Sequence, residues 1–200
     1  LMFGSQRVFT PGDLPDTLVA MNPAALKVHL RDLKKGGTIL ANANAFTAKN
    51  LKMAGWENNP LEDGSLEGFT VFSIEMSRLV KIALENSDLT SKGIERTKNM
   101  FALGVLFWMY NRPIEPTEEW LRKKFAKNPS IAESNIIAMK TGFNYGETTE
   151  IFTTSYAVEK ADLPKGKYRN ITGNVAVAYG LVSAAEKAGK ELFLGSYPIT

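Results

Sequence analysis

No cysteine occurs anywhere in the 200 residues. Disulfides, thiolate nucleophiles, zinc–thiolate centres and cysteine-ligated iron–sulfur clusters are therefore excluded within this chain. A single histidine, His29, leaves no His-rich metal site and no readable Ser-His pair, so no metal ligand is expected here. Flanked by Val28 and Leu30 in a helical stretch, His29 reads as structural or exposed. Long apolar runs are lacking too: the longest, Met100 to Tyr110, falls well short of the roughly 20 residues that span a bilayer, and no membrane association is expected. Nor is there an excess of one charge, since 24 basic and 21 acidic residues leave a net +3. The densest basic spots, Lys34-Lys35 and Arg122-Lys123-Lys124, are not interleaved with aromatics as a stacking platform would be, so nucleic acid is not an expected partner. No targeting segment is visible, which makes the cytoplasm the default location.

What is present is ordinary globular material, 44% hydrophobic and 22% charged, enough for one domain or one domain plus a fragment of the next. Both ends read as interior to something longer. Leu1-Met2-Phe3-Gly4-Ser5 resembles the tail of a strand. At the other end, Leu192-Phe193-Leu194 reads as a strand leading into the turn Tyr197-Pro198-Ile199-Thr200.

The first third alternates strands and helices. Thr17 to Met21, Thr38 to Ala41 and Phe69 to Ile74 are apolar runs without alternation, as expected of strands buried on both faces. Asn22-Pro23 pairs an N-cap residue with proline at the first helical position and predicts a helix to about Lys35. Thr47 is placed to cap a short helix through Met53. Strand, crossover, strand and crossover predict a parallel sheet. From about Met76 to Tyr145 the periodicity is helical, with helices expected over 77–86, 92–110, 117–127 and 130–141. Thr117 is the expected cap of the third, and Gly142 the expected end of the fourth. Phe101, Phe107, Trp108 and Trp120 sit at helical spacing and read as core. A polar stretch from Tyr156 to Asn170 reads as a linker. A small-residue helix, Val175 to Ala188, follows the cap Thr172, and Ala176, Gly180, Ala184 and Ala185 would let another backbone approach it closely.

Ligands of open α/β sheets lie beyond the carboxyl ends of the strands. The polar residues there are Asn22, Asn42 and Asn44, then Ser73 and Glu75. Asparagine offers both a donor and an acceptor and can orient a ligand. The plainer reading, that each asparagine caps a helix or makes a turn, is preferred. Glu147 and Glu150, three apart, lack a partner base and read as a solvated loop after the fourth helix. In the terminal turn Pro198 restricts the backbone and should hold the Thr200 hydroxyl at a strand's end.

The stretches Lys165-Gly166-Lys167-Tyr168-Arg169-Asn170-Ile171-Thr172-Gly173-Asn174, Gly180-Leu181 and Gly195-Ser196-Tyr197-Pro198-Ile199-Thr200 closely resemble the alpha subunit of 2-oxoacid:ferredoxin oxidoreductases. The likeness is strongest to the 2-oxoglutarate type, in which a γ domain is fused ahead of the α domain. Phe9 to Asp13, Val19 to Lys27 and Lys98 to Gly104 look like that γ domain. The resemblance implies a γ domain over 1–160, a linker over 161–171 and the start of the α domain over 172–200. The fold class is then α/β: a three-layer γ domain with a mainly parallel sheet and a helical second half, followed by the first helix and strand of a thiamine-pyrimidine-binding domain. The implied activity is coenzyme-A-dependent oxidative decarboxylation of a 2-oxoacid, with electrons passed to ferredoxin. Thr200 is the implied catalytic residue, within a substrate-binding turn of Tyr197, Pro198, Ile199 and Thr200. Asn22 and Asn42 are the candidate cofactor-binding residues on the coenzyme A side. Thiamine diphosphate, Mg²⁺ and a 4Fe-4S cluster are implied in a partner beta subunit, in keeping with a chain that has no cysteine. The family's glycine-rich loop and the acid that activates the thiamine ring are not in these 200 residues, so this stretch by itself is expected to be inactive. Two other readings stand beside it: a non-catalytic assembly and docking module, and a fragment of a nicotinamide-dependent dehydrogenase.

Overall fold

Every residue of Thr38–Asn42 is buried, because this segment is the middle strand (β2) of a three-stranded parallel sheet. Its neighbours are β1, Thr17–Ala20, and β3, Thr70–Ile74, in the order β1-β2-β3. The computed structural model describes residues 2–8, 12, 14–149, 155–169, 171–195 and 197. The chain forms two compact units, Leu1–Asp162 and Leu163–Thr200.

Side chains on a strand alternate between faces, and the register turns that alternation into two layers. Val19, Leu40 and Phe72 lie abreast and pack with the cluster of Ile74, Val80, Phe101 and Val105. Leu18, Ile39 and Val71 lie abreast one residue earlier and pack with Leu26, Leu33 and Leu51 on the other face. Helices α1 (Pro23–His29) and α2 (Ala48–Met53) supply the second cover, while α3 (Met76–Ala83) and α4 (Ser91–Met109) supply the first. The three layers of the first unit are therefore as expected.

Helices α5 (Glu115–Lys124) and α6 (Pro129–Thr148) complete this unit and bury Leu121, Ile136 and Met139 with it. Helix α6 runs well past Gly142, the residue expected to end it. Gly142 is there for packing: a Cβ on it would stand 2.0 Å from the Phe101 carbonyl oxygen, and one on Gly104 would stand 1.9 Å from that of Met139. The two glycines let the α4 and α6 backbones touch. Gly146, one turn further on, accommodates the ring of Trp108, with a Cβ there only 2.8 Å from Cδ2.

Other boundaries also moved. Helix α1 tightens into a 3₁₀ turn over Leu30–Asp32 instead of running to Lys35. Helix α5 begins at Glu115 with Pro116 in its first turn, and no side chain caps it, so proline rather than Thr117 sets its start. Trp120 is not core: it is 48% exposed, with the Lys124 ammonium 4.3 Å from the centre of its ring. His29 is exposed, with Nδ1 3.2 Å from Asp32 Oδ2. Glu147 lies in the last turn of α6 rather than in a loop, and Glu150 is outside the described residues. Tyr156 donates its backbone N–H to the Met109 carbonyl and stacks on Tyr110, so the start of the polar stretch is tied to the first unit.

In the second unit α7 spans Gly173–Ala188, capped by the Thr172 hydroxyl and ended by Gly189 at φ 60°. None of its residues is buried, and nothing lies within 4 Å of where a Cβ on Gly180 would stand. Within this chain the close backbone approach seen is the one between α4 and α6. Leu192-Phe193-Leu194 is not a strand. Ladder hydrogen bonds need a neighbour, and among its described residues the second unit has no strand to supply one.

Gly104→Ala and Gly142→Ala are expected to destabilise the chain by about 3 kcal/mol or more each, because backbone atoms cannot give way as a side chain would. Gly180→Ala, which meets open space, should be neutral or stabilising by up to about 1 kcal/mol from helix propensity. Chemical denaturation followed by far-UV circular dichroism measures both, and a Gly104→Ala chain as stable as its parent would contradict the packing described.

Candidate functional site

Because the three strands are parallel, their carboxyl ends share one edge of the sheet. Asn22 follows β1, Asn42 ends β2 and Glu75 follows β3. A cleft of about 650 Å³ opens at that edge, with the first turns of α3 and α4 as its far wall.

Asn22 performs the capping role preferred from the sequence: its Oδ1 accepts the Ala25 N–H at 2.9 Å. Asn42 and Asn44 are also caps, but of a helix 35 residues away. Helix α3 starts at Met76, and its N-cap residue, Glu75, makes no capping bond. Asn42 Oδ1 accepts the Ser77 N–H at 3.3 Å and Asn44 Oδ1 accepts the Arg78 N–H at 3.0 Å. Two of the first-turn donors that an isolated helix leaves unsatisfied are thus met from the end of β2. Asn42 is fully buried, where an unmatched amide is costly. Its other half is matched too, since Nδ2 donates to Ser77 Oγ at 3.1 Å.

The hydroxyl of Ser77 carries the chain of hydrogen bonds across the cleft. With its lone pair engaged by Asn42, its proton points to Glu95 Oε1 on α4, 3.2 Å away. The same carboxylate oxygen accepts from the ammonium of Lys98. Burial alone would raise the Glu95 carboxyl, but the bond and charge of Lys98, the Ser77 hydroxyl and the charge of Lys81 together hold it below its ordinary value of 4.5. Lys81, Lys92 and Lys98 all line the cleft, against Glu95 as its one lining carboxylate. Among the described residues, Lys81 and Lys92 form no ion pair. Glu75 is held to one side by Arg78 and by Asn44. The arrangement is suited to taking an anion: Lys81 and Lys92, outside any ion pair among the described residues, line the cleft beside the polar strand ends.

Asn22, Asn42, Asn44 and Glu75 therefore do gather at one edge, as the strand order implied. Ser73 is exposed within β3. Ser77, Lys81, Lys92, Glu95 and Lys98 were missed. Their spacing (Ser77 and Lys81 on α3; Ser91, Glu95 and Lys98 on α4) marks one face of each helix. Of the terminal turn, Pro198, Ile199 and Thr200 lie outside the described residues, and Tyr197 is 81% exposed.

Residues 1–145 match the family model of pyruvate ferredoxin/flavodoxin oxidoreductases. The chain belongs to that family. Among curated oxidoreductases it is 51% identical over 193 residues to the 2-oxoglutarate oxidoreductase subunit KorA of Mycobacterium tuberculosis, covering 96% of this chain and 30% of that protein. It thus spans under a third of the length of this relative. Among solved structures, the 2-oxoglutarate:ferredoxin oxidoreductase of Magnetococcus marinus, with 2-oxoglutarate, coenzyme A and succinyl-CoA bound, superposes at a TM-score of 0.59 with 21% identity. That likeness covers 96% of this chain and 34% of the other, and it is a likeness of fold.

Removing the Asn42 side chain leaves the half-buried Ser77 N–H at the helix start without its acceptor, so Asn42→Ala should cost about 2 kcal/mol. The exposed cap Asn22→Ala should cost about 1 kcal/mol. The sign for Glu95 follows from its lowered pKa: its ion pair is fully present at neutral pH and is lost as pH falls through the folded-state value. The stability difference between the parent and Glu95→Gln should therefore shrink as pH falls from about 6 towards about 3, read from urea midpoints across that range. A difference that grows on acidification would contradict the assignment.

Proposed function

We propose that this chain is part of the alpha subunit of a 2-oxoacid:ferredoxin oxidoreductase, with 2-oxoglutarate as substrate. It would work with a beta subunit and pass electrons one at a time to ferredoxin. The observation that carries this is the 51% identity to a 2-oxoglutarate oxidoreductase subunit across nearly the whole chain. Residues 1–160 are read as the γ domain, 161–171 as linker, and 172–200 as the start of the thiamine-pyrimidine-binding α domain.

Thiamine diphosphate, assigned with its Mg²⁺ and the 4Fe-4S cluster to the beta subunit, supplies the carbon nucleophile that makes decarboxylation of a 2-oxoacid possible. A chain without cysteine fits that division of labour for the cluster. Within this chain Thr200 is read as the hydrogen-bond donor to the carboxylate or keto oxygen of the substrate, in a turn shaped by Tyr197, Pro198 and Ile199.

Coenzyme A is read as a ligand of the cleft beyond the sheet. The donor set suits it: Lys81, Lys92 and Lys98 match phosphates, and lysine acts there as a mobile point charge. Asn42 then supports the cleft from behind, its amide engaged on both sides by Ser77, while Asn22, whose Oδ1 is taken by Ala25, keeps its Nδ2 donors for the ligand. The commitment of Asn42 to Ser77 also favours a second reading, in which the first unit serves only assembly and docking.

The test uses the full-length subunit with its beta partner. Coenzyme-A-dependent reduction of a viologen dye by 2-oxoglutarate is expected, and no turnover with any 2-oxoacid would sink the proposal. Thr200→Val should lower kcat/KM for 2-oxoglutarate by about 10²-fold, the scale of losing one oriented donor. Lys92→Gln should raise the KM for coenzyme A several-fold with little change in kcat; an unmoved KM would favour the docking reading.

A further inference from the structure

The cleft that collects three lysines also holds a carboxylate, and an anion site has no evident use for one. Glu95 is not there by looseness. Its Oε1 takes the Ser77 hydroxyl at 3.2 Å and the Lys98 ammonium, and the hydroxyl is aimed by the buried Asn42 amide behind it. Three groups on β2, α3 and α4 thus hold one negative charge at a fixed place among Lys81, Lys92 and Lys98.

We propose that Glu95 is a specificity-determining residue of this cleft: a built-in anion that occupies Lys98 and weakens the hold of the site on small free polyphosphates. The inference rests on the reading of the cleft as the place where a phosphate-bearing cosubstrate docks. An entering phosphate meets the field of three cations less one fixed anion, so its attraction is reduced wherever it sits near Lys98. A small polyanion has only charge with which to bind and suffers the whole reduction. A larger ligand, with neutral portions reaching beyond Glu95, retains its other contacts. The residue therefore costs affinity for competitors more than for the intended ligand, which is specificity by an unfavourable element.

The probe is inorganic pyrophosphate, titrated by calorimetry into the full-length subunit assembled with its beta partner. Glu95→Gln is expected to lower the Kd by about three- to fivefold, the scale of one exposed charge pair, and to steepen the dependence of log Kd on log salt. Ser77→Ala breaks the same hydrogen-bond chain while keeping the charge, so its Kd should stay within about twofold of the parent. An unchanged or weaker Kd in Glu95→Gln overturns the proposal, as does equal tightening in Ser77→Ala, which would make the effect one of local packing. Lys98→Gln supplies an independent arm should Glu95→Gln fail to assemble. It removes a cation and also bares Glu95, so it should weaken pyrophosphate more than Lys92→Gln does; equal weakening overturns the proposal. Absence of pyrophosphate binding to both the parent and Glu95→Gln overturns it as well. Dye reduction tests the proposed activity separately: loss of that activity with the calorimetric pattern intact would sink the functional reading and leave the role of Glu95 standing.

Discussion

The first unit depends on two helices being allowed to touch. With Gly104 and Gly142 facing each other's backbones, α4 and α6 approach more closely than any side chain between them would permit. That contact carries Phe101, Val105 and Met139 inward to complete the clusters on either side of it. It also fixes where α4 begins relative to the sheet, because a helix pinned at its middle has little freedom at its start. Glu95 and Lys98 lie about two and a half and about one and a half turns before Gly104, so the geometry of the cleft wall is set by a packing contact some distance from it.

The sheet and the helical half are joined a second time, through Asn42. A buried amide is tolerated only when its donors and acceptor are matched, and here the match is the start of α3. The strand end therefore dictates the position of the helix, and the helix hydroxyl dictates the orientation of Glu95. Packing from one side and hydrogen bonding from the other converge on the same carboxylate. An exposed ion pair such as Glu95–Lys98 is worth little by itself; the Ser77 hydroxyl adds a second hydrogen bond to the same carboxylate oxygen.

Much of this was legible from local chemistry. Strand positions followed from short β-rich runs, and Asn22, Thr47 and Thr172 each cap the helix that their spacing announced. Where reading failed, a distant partner had overruled a local signal. Gly142 has the look of a helix end, yet its missing Cβ is used by Phe101, 41 positions earlier in the numbering. Asn42 looked like a local cap and serves a helix beyond the next strand. Leu192 to Leu194 have strand propensity and, among the described residues of their own unit, no strand beside them. The lysines and Glu95 were visible as helix faces, but only the fold says that those faces look across the strand ends.

The division between fixed and mobile groups in the cleft bears on what such a site can discriminate. Two of its asparagines, Asn22 and Asn44, commit their Oδ1 atoms to helix starts. Its lysines carry charge on flexible stems, which attract any phosphate but read little geometry. A site made only of these would bind polyanions in proportion to their charge. Selectivity then needs a charge that opposes the general attraction, and the carboxylate among the lining residues is Glu95, bonded by Ser77 and Lys98. The polar layer above the strands thus includes a chain of bonds, from Asn42 to Ser77 to Glu95, that aims a carboxylate.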